Sequence, residues 1–404
     1  MKTGIEGIKV VEAASAVAVP MVGRLLADWG AEVIHIDQTA RGGLMYRPSA
    51  TKDTRRIAAD FDYVEQNINC NKRGIALDLA QEEGLKILYK LLETADVFIN
   101  NFRPRELEKF KLEFETLHKL NPKLICANLT GFGRKGPENN EPGFGPTAGD
   151  SRSGLLHILQ VPGSEPVQTP IAYADFITGM TLAYGIMTAL LIRERTGVAQ
   201  EVDASLFNSL VFVLSSDIAG TLVTGQDRQA VSRKDRGTPL LNIYRTKDKR
   251  WLYLMMSRPD VYWPRFCRAL EHADWEHDPG LNPCHPDKHD PRALFDALED
   301  TFLTRTLEEW KPRLTEVGFP WAPIQTLPEV INDPQAQANE FFKPLKHPVH
   351  GTIKVMANPA KLSRTRERMK MPAPRFGENT EEVIRELGYT SDDIKNFKEK
   401  RIIN

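Results

Sequence analysis

Asp175 stands in the stretch PIAYADFITGMTLAYG, immediately before an almost wholly apolar run. Its spacing fits two roles. As an N-cap it would accept backbone N–H bonds at a helix start. A carboxylate near a helix N-terminus is also held ionised by the helix dipole, the form in which it can act as a nucleophile. Gly179, Ala183 and Gly185 on the following turns allow close approach, and a glycine-rich stretch precedes the acid.

Basic residues recur beside expected strand ends: Lys72-Arg73, Arg103 with Arg105 and Lys109, and Arg134-Lys135. Each alone reads as a solvated patch. Three in one α/β domain could serve several phosphates, a number that coenzyme A carries. His272, His277, Cys284, His285 and His289 fall within 18 residues, yet they make neither an HExxH nor a Cys/His finger pattern, so no metal site is expected. Tyr244, Trp251, Tyr253, Tyr262, Trp263 and Phe266 are six aromatics in 23 residues. They could line a pocket or pack a hairpin.

The elements that must hold these groups begin with a βαβ unit: IKVVE (Ile8 to Glu12), a helical stretch from Val19 to Gly30, and EVIHI (Glu32 to Ile36). Helical stretches from Gln81 to Thr94 and near Arg105 to Leu120 alternate with the strands Val97 to Asn100 and Leu124 to Leu129. That alternation predicts an open parallel sheet covered by helices. The first turn carries no glycine between Glu12 and Pro20, so dinucleotide binding through a Gly-x-Gly-x-x-Gly turn is disfavoured, and Asp37 reads as a strand-end polar residue. Gly131 to Pro170 reads as loop, followed by a long helix from about Asp175 to Arg195. Asp227 to Gly237 suits a linker, and Leu240 to Met256 a hairpin that opens a second, smaller domain ending near Pro320. Helix starts are expected at Asn379-x-x-Glu382 and Thr390-x-x-Asp393.

The 404 residues suit two domains. With 53 basic against 54 acidic side chains, the net charge of -1 argues against a nucleic-acid partner. Four scattered cysteines without CxxC fit a reducing cytoplasm, and no signal peptide is read. Phe176 to Ile192 is 17 residues without a formal charge, short of the ~20 that cross a bilayer, so a buried helix and no membrane partner are expected.

Taken together, Gly7 to Asp37, NKRGIALDL (Asn71 to Leu79), ADVFINNFRP (Ala95 to Pro104), LTGFGRKGP (Leu129 to Pro137), Ala174 to Leu206 and FGENTEEVIRELGY (Phe376 to Tyr389) resemble the class III coenzyme A transferases, the CaiB/BaiF or formyl-CoA transferase family. The resemblance covers essentially the whole chain. It implies a Rossmann-like open parallel sheet in a large domain, formed by residues 1–225 with 321–404 returning to it, and a smaller α+β domain at 226–320. It further implies an interlocked dimer, or a hetero-oligomer with a related subunit. Asp175 would be the nucleophile, and Val17, Ala18, Leu77, Asn101, Phe102, Arg103 and Lys109 would contact CoA. The CoA thioester is a substrate, so no permanently bound cofactor and no metal are implied.

Three departures narrow the expectation. A basic residue often follows the second strand in the family, where this chain has Gln38, with Arg41 as the candidate substitute. Lys234 to Leu240 has only Gly237 where the formyl-CoA branch carries a glycine run, which disfavours a formyl or oxalyl substrate. Related racemases carry Gly-His-Asp where this chain has Gly143-Phe144-Gly145, and Phe144 cannot act as acid or base. The resemblance points to a bulky acid, aromatic ones included, such as a 2-hydroxy acid or a benzylsuccinate, exchanged with succinyl-CoA or another acyl-CoA. A racemase-like isomerase and a weakly catalytic partner subunit are the alternatives.

Overall fold

The computed structural model describes residues 4–39, 62–161, 163–170, 172–228, 230–285 and 287–404. Arg41 lies outside the described residues. The chain divides into two units: Met1–Ile158 with Val167–Arg228 and Gln337–Asn404, and Leu159–Pro166 with Gln229–Ala336.

The larger unit starts with β1 (Lys9–Ala13), α1 (Ala18–Asp28), β2 (Glu32–Gln38), α2 (Tyr63–Asn69), β3 (Arg73–Leu77), α3 (Glu82–Leu92), β4 (Val97–Asn100), α4 (Pro104–Phe110), α5 (Phe114–Leu120) and β5 (Ile125–Thr130). A π-helical turn at Gly145–Ser151 and α6 (Leu155–Leu159) follow, then α7 (Tyr173–Thr196), β6 (Glu201–Ser205), α8 (Leu206–Val213) and α9 (Ser215–Thr224). The six strands form one sheet in the order β3-β2-β1-β4-β5-β6, every neighbouring pair parallel. The fold is therefore α/β, as the sequence predicts.

Burial on both faces explains the sheet. Val97, Phe98 and Ile99 of β4 are fully buried, as parallel strands between helices require. α1 and α7 cover one face, where Val19, Val22 and Leu26 meet Leu182 and Ile186. On the other, Ile87 and Leu91 of α3 and Leu117 of α5 share a core with Val383, Ile394 and Ile402. The helix expected from Arg105 to Leu120 is two helices, because Lys111 takes a left-handed conformation at φ 54° and ends α4. The stretch expected as loop from Gly131 to Pro170 contains the π-turn and α6. α7 has the length and apolar composition of a membrane span; it packs on β5, β6, α1 and α8 along one face, while Met180, Tyr184, Met187, Leu191 and Ile192 are exposed, so the expected buried helix is buried only in part.

The smaller unit contains β7 (Ile243–Arg245), β8 (Trp251–Leu254), α10 (Pro259–Leu270), α11 (Pro291–Phe302), α12 (Leu307–Val317), β9 (Trp321–Pro323) and α13 (Leu327–Asn332), and α14 (Pro334–Ala338) follows. β7 and β8 are the expected hairpin. Its aromatic cluster packs the core: Tyr244 stands 5.5 and 5.2 Å from Phe295 and Phe302, and Phe266 meets Phe319 edge-on at 5.5 Å. Core packing accounts for Tyr244 on the hairpin and for Trp263 and Phe266 on α10, all essentially unexposed.

The chain then adds the antiparallel pair β10 (Phe342–His347) and β11 (Gly351–Met356), followed by α15 (Thr380–Glu386) and α16 (Ser391–Glu399). These last helices sit on β3. Ala76 N donates to Thr380 Oγ1 at 3.0 Å, Gly74 N to Asn379 Oδ1 at 3.0 Å, and Leu77 bridges Ile403. Asn379 therefore gives its side-chain oxygen to β3 instead of capping α15. Thr390 and Asp393 form the expected capping box.

Candidate active site

The strand order reverses between β1 and β4, and ligands of open α/β sheets bind beyond the carboxyl ends of strands at such a point. A cleft of about 530 Å³ opens there. The β1–α1 turn supplies Ser15, Ala16 and Ala18, the end of β2 supplies His35, Asp37 and Gln38, and the segment after β4 supplies Asn101 to Arg103 and Lys109. Gly143, Phe144 and Asp175 complete the wall. Where a dinucleotide fold would use glycine, Ala16 turns the chain at φ 66°. Among the described residues no side chain caps the start of α1, and with proline at position 20 only the Ala18 and Val19 N–H groups of its first turn are left for an outside acceptor.

Asp175 is the third residue of α7. Ala172, left-handed at φ 70°, is the N-cap, so the capping role suggested by spacing belongs to another residue. Burial first, and the Asp150 carboxylate second, push Asp175 up to about 6, against a hydrogen bond from its own backbone N–H. The carboxyl is crowded from one side: a Cβ placed on Gly145 would stand 2.5 Å from Asp175 Oδ2.

Of the residues expected to contact CoA, Ala18, Asn101, Phe102, Arg103 and Lys109 share the cleft with Asp175. Val17 and Leu77 are 1 % and 0 % exposed and do not line it. Asn101 is tied to the β1–α1 turn in both directions: its Nδ2 donates to Ser15 O at 2.8 Å and its Oδ1 accepts from Ser15 N at 3.3 Å. Arg103 is held by both carboxylate oxygens of Glu106, at 3.1 and 3.0 Å. Lys109 Nζ lies 5.4 Å from the centre of the Phe110 ring.

The other basic pairs are not phosphate patches. Lys72 is buried, donating to Glu12 Oε1 at 2.9 Å, Pro20 O at 2.7 Å and Asn69 Oδ1 at 2.6 Å. Arg73 pairs with Glu32, Glu382 and Glu386, and Arg134 with Glu201 and Asp203. In the histidine-rich stretch His272 stacks on Trp275 at 4.1 Å and His289 Nδ1 meets Gly280 O at 3.2 Å, while His277, Cys284 and His285 are exposed. Among the described residues no group of three His, Cys, Asp or Glu is placed to hold a metal ion.

Two features escape sequence reasoning. Glu12, inside central strand β1, binds His35 Nδ1 at 2.6 Å as well as Lys72. Burial alone would raise Glu12, but Lys72 and His35 hold it below the ordinary carboxylate value. Burial likewise opposes charge on His35, yet Asp37 and Glu12 lift it to about 10, so the imidazole at the cleft wall is a cation. A glutamate within the apolar run KVVEA was the available signal. The second feature is Asp150, buried on the π-turn and bonded to the Thr169 hydroxyl.

The profile of CoA-transferase family III matches residues 5–380. The chain belongs to that family. As a CoA-transferase it exchanges coenzyme A between an acyl-CoA and a carboxylic acid. This transferase is 30% identical over 402 residues to an (R)-2-hydroxy-4-methylpentanoate CoA-transferase of Clostridioides difficile, covering 99% of each chain. It is 32% identical to a cinnamoyl-CoA:phenyllactate CoA-transferase of Clostridium sporogenes, covering 98% of this chain and 96% of that one. A CAIB/BAIF family protein from Brucella suis superposes with a TM-score of 0.81 at 25% identity, covering 96% of this chain and all of that one.

Within the transferase cleft, one end presents a crowded, basic carboxylate beside a glycine turn. Arg103 and Lys109 lie on the wall after β4, and the His35–Asp37 pair at the end of β2. Arg103 is paired with Glu106, and His35 with Glu12 and Asp37, so this wall carries ion pairs with Lys109 beside them.

Proposed function

We propose that the transferase carries CoA from a donor acyl-CoA to a bulky carboxylic acid, aromatic ones included, of the 2-hydroxy acid or benzylsuccinate kind, through a thioester on Asp175. The Asp175 carboxylate attacks the donor carbonyl and expels CoA thiolate, leaving a mixed anhydride. The thiolate attacks the aspartyl carbonyl of that anhydride, releasing the donor acid and forming the aspartyl-CoA thioester. The acceptor carboxylate then attacks the thioester, expelling the thiolate again, and the thiolate attacks the acceptor carbonyl and frees Asp175. At pH 7 a carboxyl titrating near 6 is about nine-tenths ionised, and its raised basicity makes it the better nucleophile.

The observation that carries this reading is Asp175 on the cleft wall at the switch point, with the glycine turn against its Oδ2. The Gly143 and Gly145 N–H groups are candidates for holding the tetrahedral oxyanions, the Phe144 N–H being given to Thr147 Oγ1. Ala18, Asn101, Phe102, Arg103 and Lys109 would line the CoA path, with Val17 and Leu77 supporting it from the core. Phe144, 57 % exposed on the cleft wall, favours an apolar acyl group. The relatives named for phenyllactate and 2-hydroxy-4-methylpentanoate support the same substrate class. We place a second copy of this chain, as an interlocked dimer in the cytoplasm, over the exposed apolar side chains Tyr184, Phe212, Leu222 and Val223.

The test is peptide mass spectrometry after incubation with cinnamoyl-CoA, succinyl-CoA and 2-hydroxyacyl-CoAs and trapping with hydroxylamine. Modification confined to the Asp175 peptide and absent in Asp175→Ala is expected. CoA transfer that persists in Asp175→Ala would remove the aspartyl route.

A further inference from the structure

We propose that Asp150 is a positioning residue for Asp175, clamping the chain that leads into α7 against the turn that carries Gly145. The inference rests on the assignment of Asp175 as nucleophile. Asp150 lies on the same π-turn as Gly145 and is 1 % exposed. One of its carboxylate oxygens, Oδ2, accepts the hydroxyl of Thr169, in the segment just before α7, and the other, although enclosed, has no hydrogen-bond partner among the described residues.

The π-turn touches the first turn of α7 twice more. A Cβ on Gly145 would stand 2.5 Å from Asp175 Oδ2, and one on Gly149 would stand 2.5 Å from Ala174 Cβ. Three contacts therefore fix the Asp175 carboxyl to the turn: Gly145 with its oxygen, Gly149 with its neighbour, and Asp150 with the strand of chain leading in. Among these three the last is the hydrogen bond, the directional one that sets the register of one backbone against the other. An enclosed carboxylate with one unmatched oxygen is costly to fold, and a neutral amide would satisfy Thr169 as well. The negative charge also faces Asp175, where it opposes loss of the Asp175 proton.

The test compares Asp150→Ala, Thr169→Val and Asp150→Asn in the full chain. The asparagine keeps an acceptor for Thr169, and the other two variants delete the bond. Hydrogen exchange of the peptide spanning 172–178 reads the clamp without substrate: about tenfold faster exchange is expected in Asp150→Ala and Thr169→Val, with wild-type exchange in Asp150→Asn. With cinnamoyl-CoA as donor and phenyllactate as acceptor, kcat should fall roughly ten- to a hundredfold in the two deletions while the acyl-CoA KM stays within about twofold. Asp150→Asn should restore most of the rate. Unchanged exchange in Thr169→Val, or an Asp150→Asn variant as mobile as Asp150→Ala, would overturn the proposal. If Asp150→Ala does not fold, Thr169→Val and Asp150→Asn still decide it. Asp175→Ala is run in parallel: transfer surviving there sinks the nucleophile assignment, while the exchange data judge the clamp independently.

Discussion

Gly145 and Asp175 approach so closely that no side chain fits between them: a Cβ on residue 145 would lie 2.5 Å from Asp175 Oδ2, well inside contact distance. Gly145→Ala must therefore rotate the Asp175 carboxyl or push the turn away. We expect kcat for CoA transfer to fall at least about tenfold with little change in thermal stability, because a misplaced nucleophile loses its attack geometry. Steady-state kinetics with a matched melting curve checks this, and an unimpaired Gly145→Ala would show that the carboxyl works from another orientation.

The pH dependence follows from the same carboxyl. Burial and Asp150 hold Asp175 at about 6, and the attacking form is the anion, so kcat/KM should rise with pH through a midpoint near 6. His35, lifted to about 10, stays charged across that range and adds no second inflection below neutrality. A pH–rate profile between 4.5 and 8 suffices, and a midpoint near the ordinary aspartate value would contradict the buried setting.

Stability should move the opposite way from activity. With a folded-state value near 6 against 3.8 unfolded, the folded protein binds the Asp175 proton more tightly, so ionised Asp175 costs stability above pH 6 and the cost disappears as pH falls below about 4. Asp175→Asn is expected to stabilise the protein at pH 7 by about 1–2 kcal/mol after allowance for partial exposure, with the gain fading toward pH 4. Urea titrations at the two pH values test it.

How much of this was legible in the chain can be judged residue by residue. The runs VVE, VFIN and ICANL are apolar because parallel strands are buried on both faces, and they read directly as a sheet. β3 was missed: RGIAL begins with a charge and a glycine, and its strand character comes from pairing with β2. The break at Lys111 has no local signal, since nothing in a lysine's type marks it for the left-handed φ of 54° that it adopts. Lys72 reads as surface because its partners Glu12 and Asn69 are brought to it by the fold. Asp150 is 25 positions from Asp175, and only the π-turn brings its charge to bear there.

The buried pair beneath the cleft gives a stability prediction of its own. Lys72→Met leaves Glu12 enclosed without its ammonium, and we expect the larger unit to lose about 3–5 kcal/mol. Adding Glu12→Gln should recover much of that loss, because neither charge then remains uncompensated. A double-mutant cycle by urea unfolding measures the coupling, and additive single effects would argue that His35 alone balances Glu12.

Lys109 offers the cleanest separation of binding from chemistry. On the proposed CoA path but remote from the acyl carbon, Lys109→Ala should raise the acyl-CoA KM about fivefold, a charge-assisted contact of ~1 kcal/mol, with kcat nearly unchanged. Raising the salt concentration should narrow the gap between variant and wild type.

The seam between β3 and α15 also sets a timetable for synthesis. Ala76 waits for Thr380, 304 positions later, before its N–H is satisfied. At about 5–20 residues per second the ribosome needs roughly 15–60 seconds to deliver that partner. Throughout that interval β3 is an edge strand with unpaired groups, the kind of edge that recruits foreign strands. The nascent larger unit is thus an aggregation hazard until its closing segment emerges, and truncation before Thr380 would make that hazard permanent.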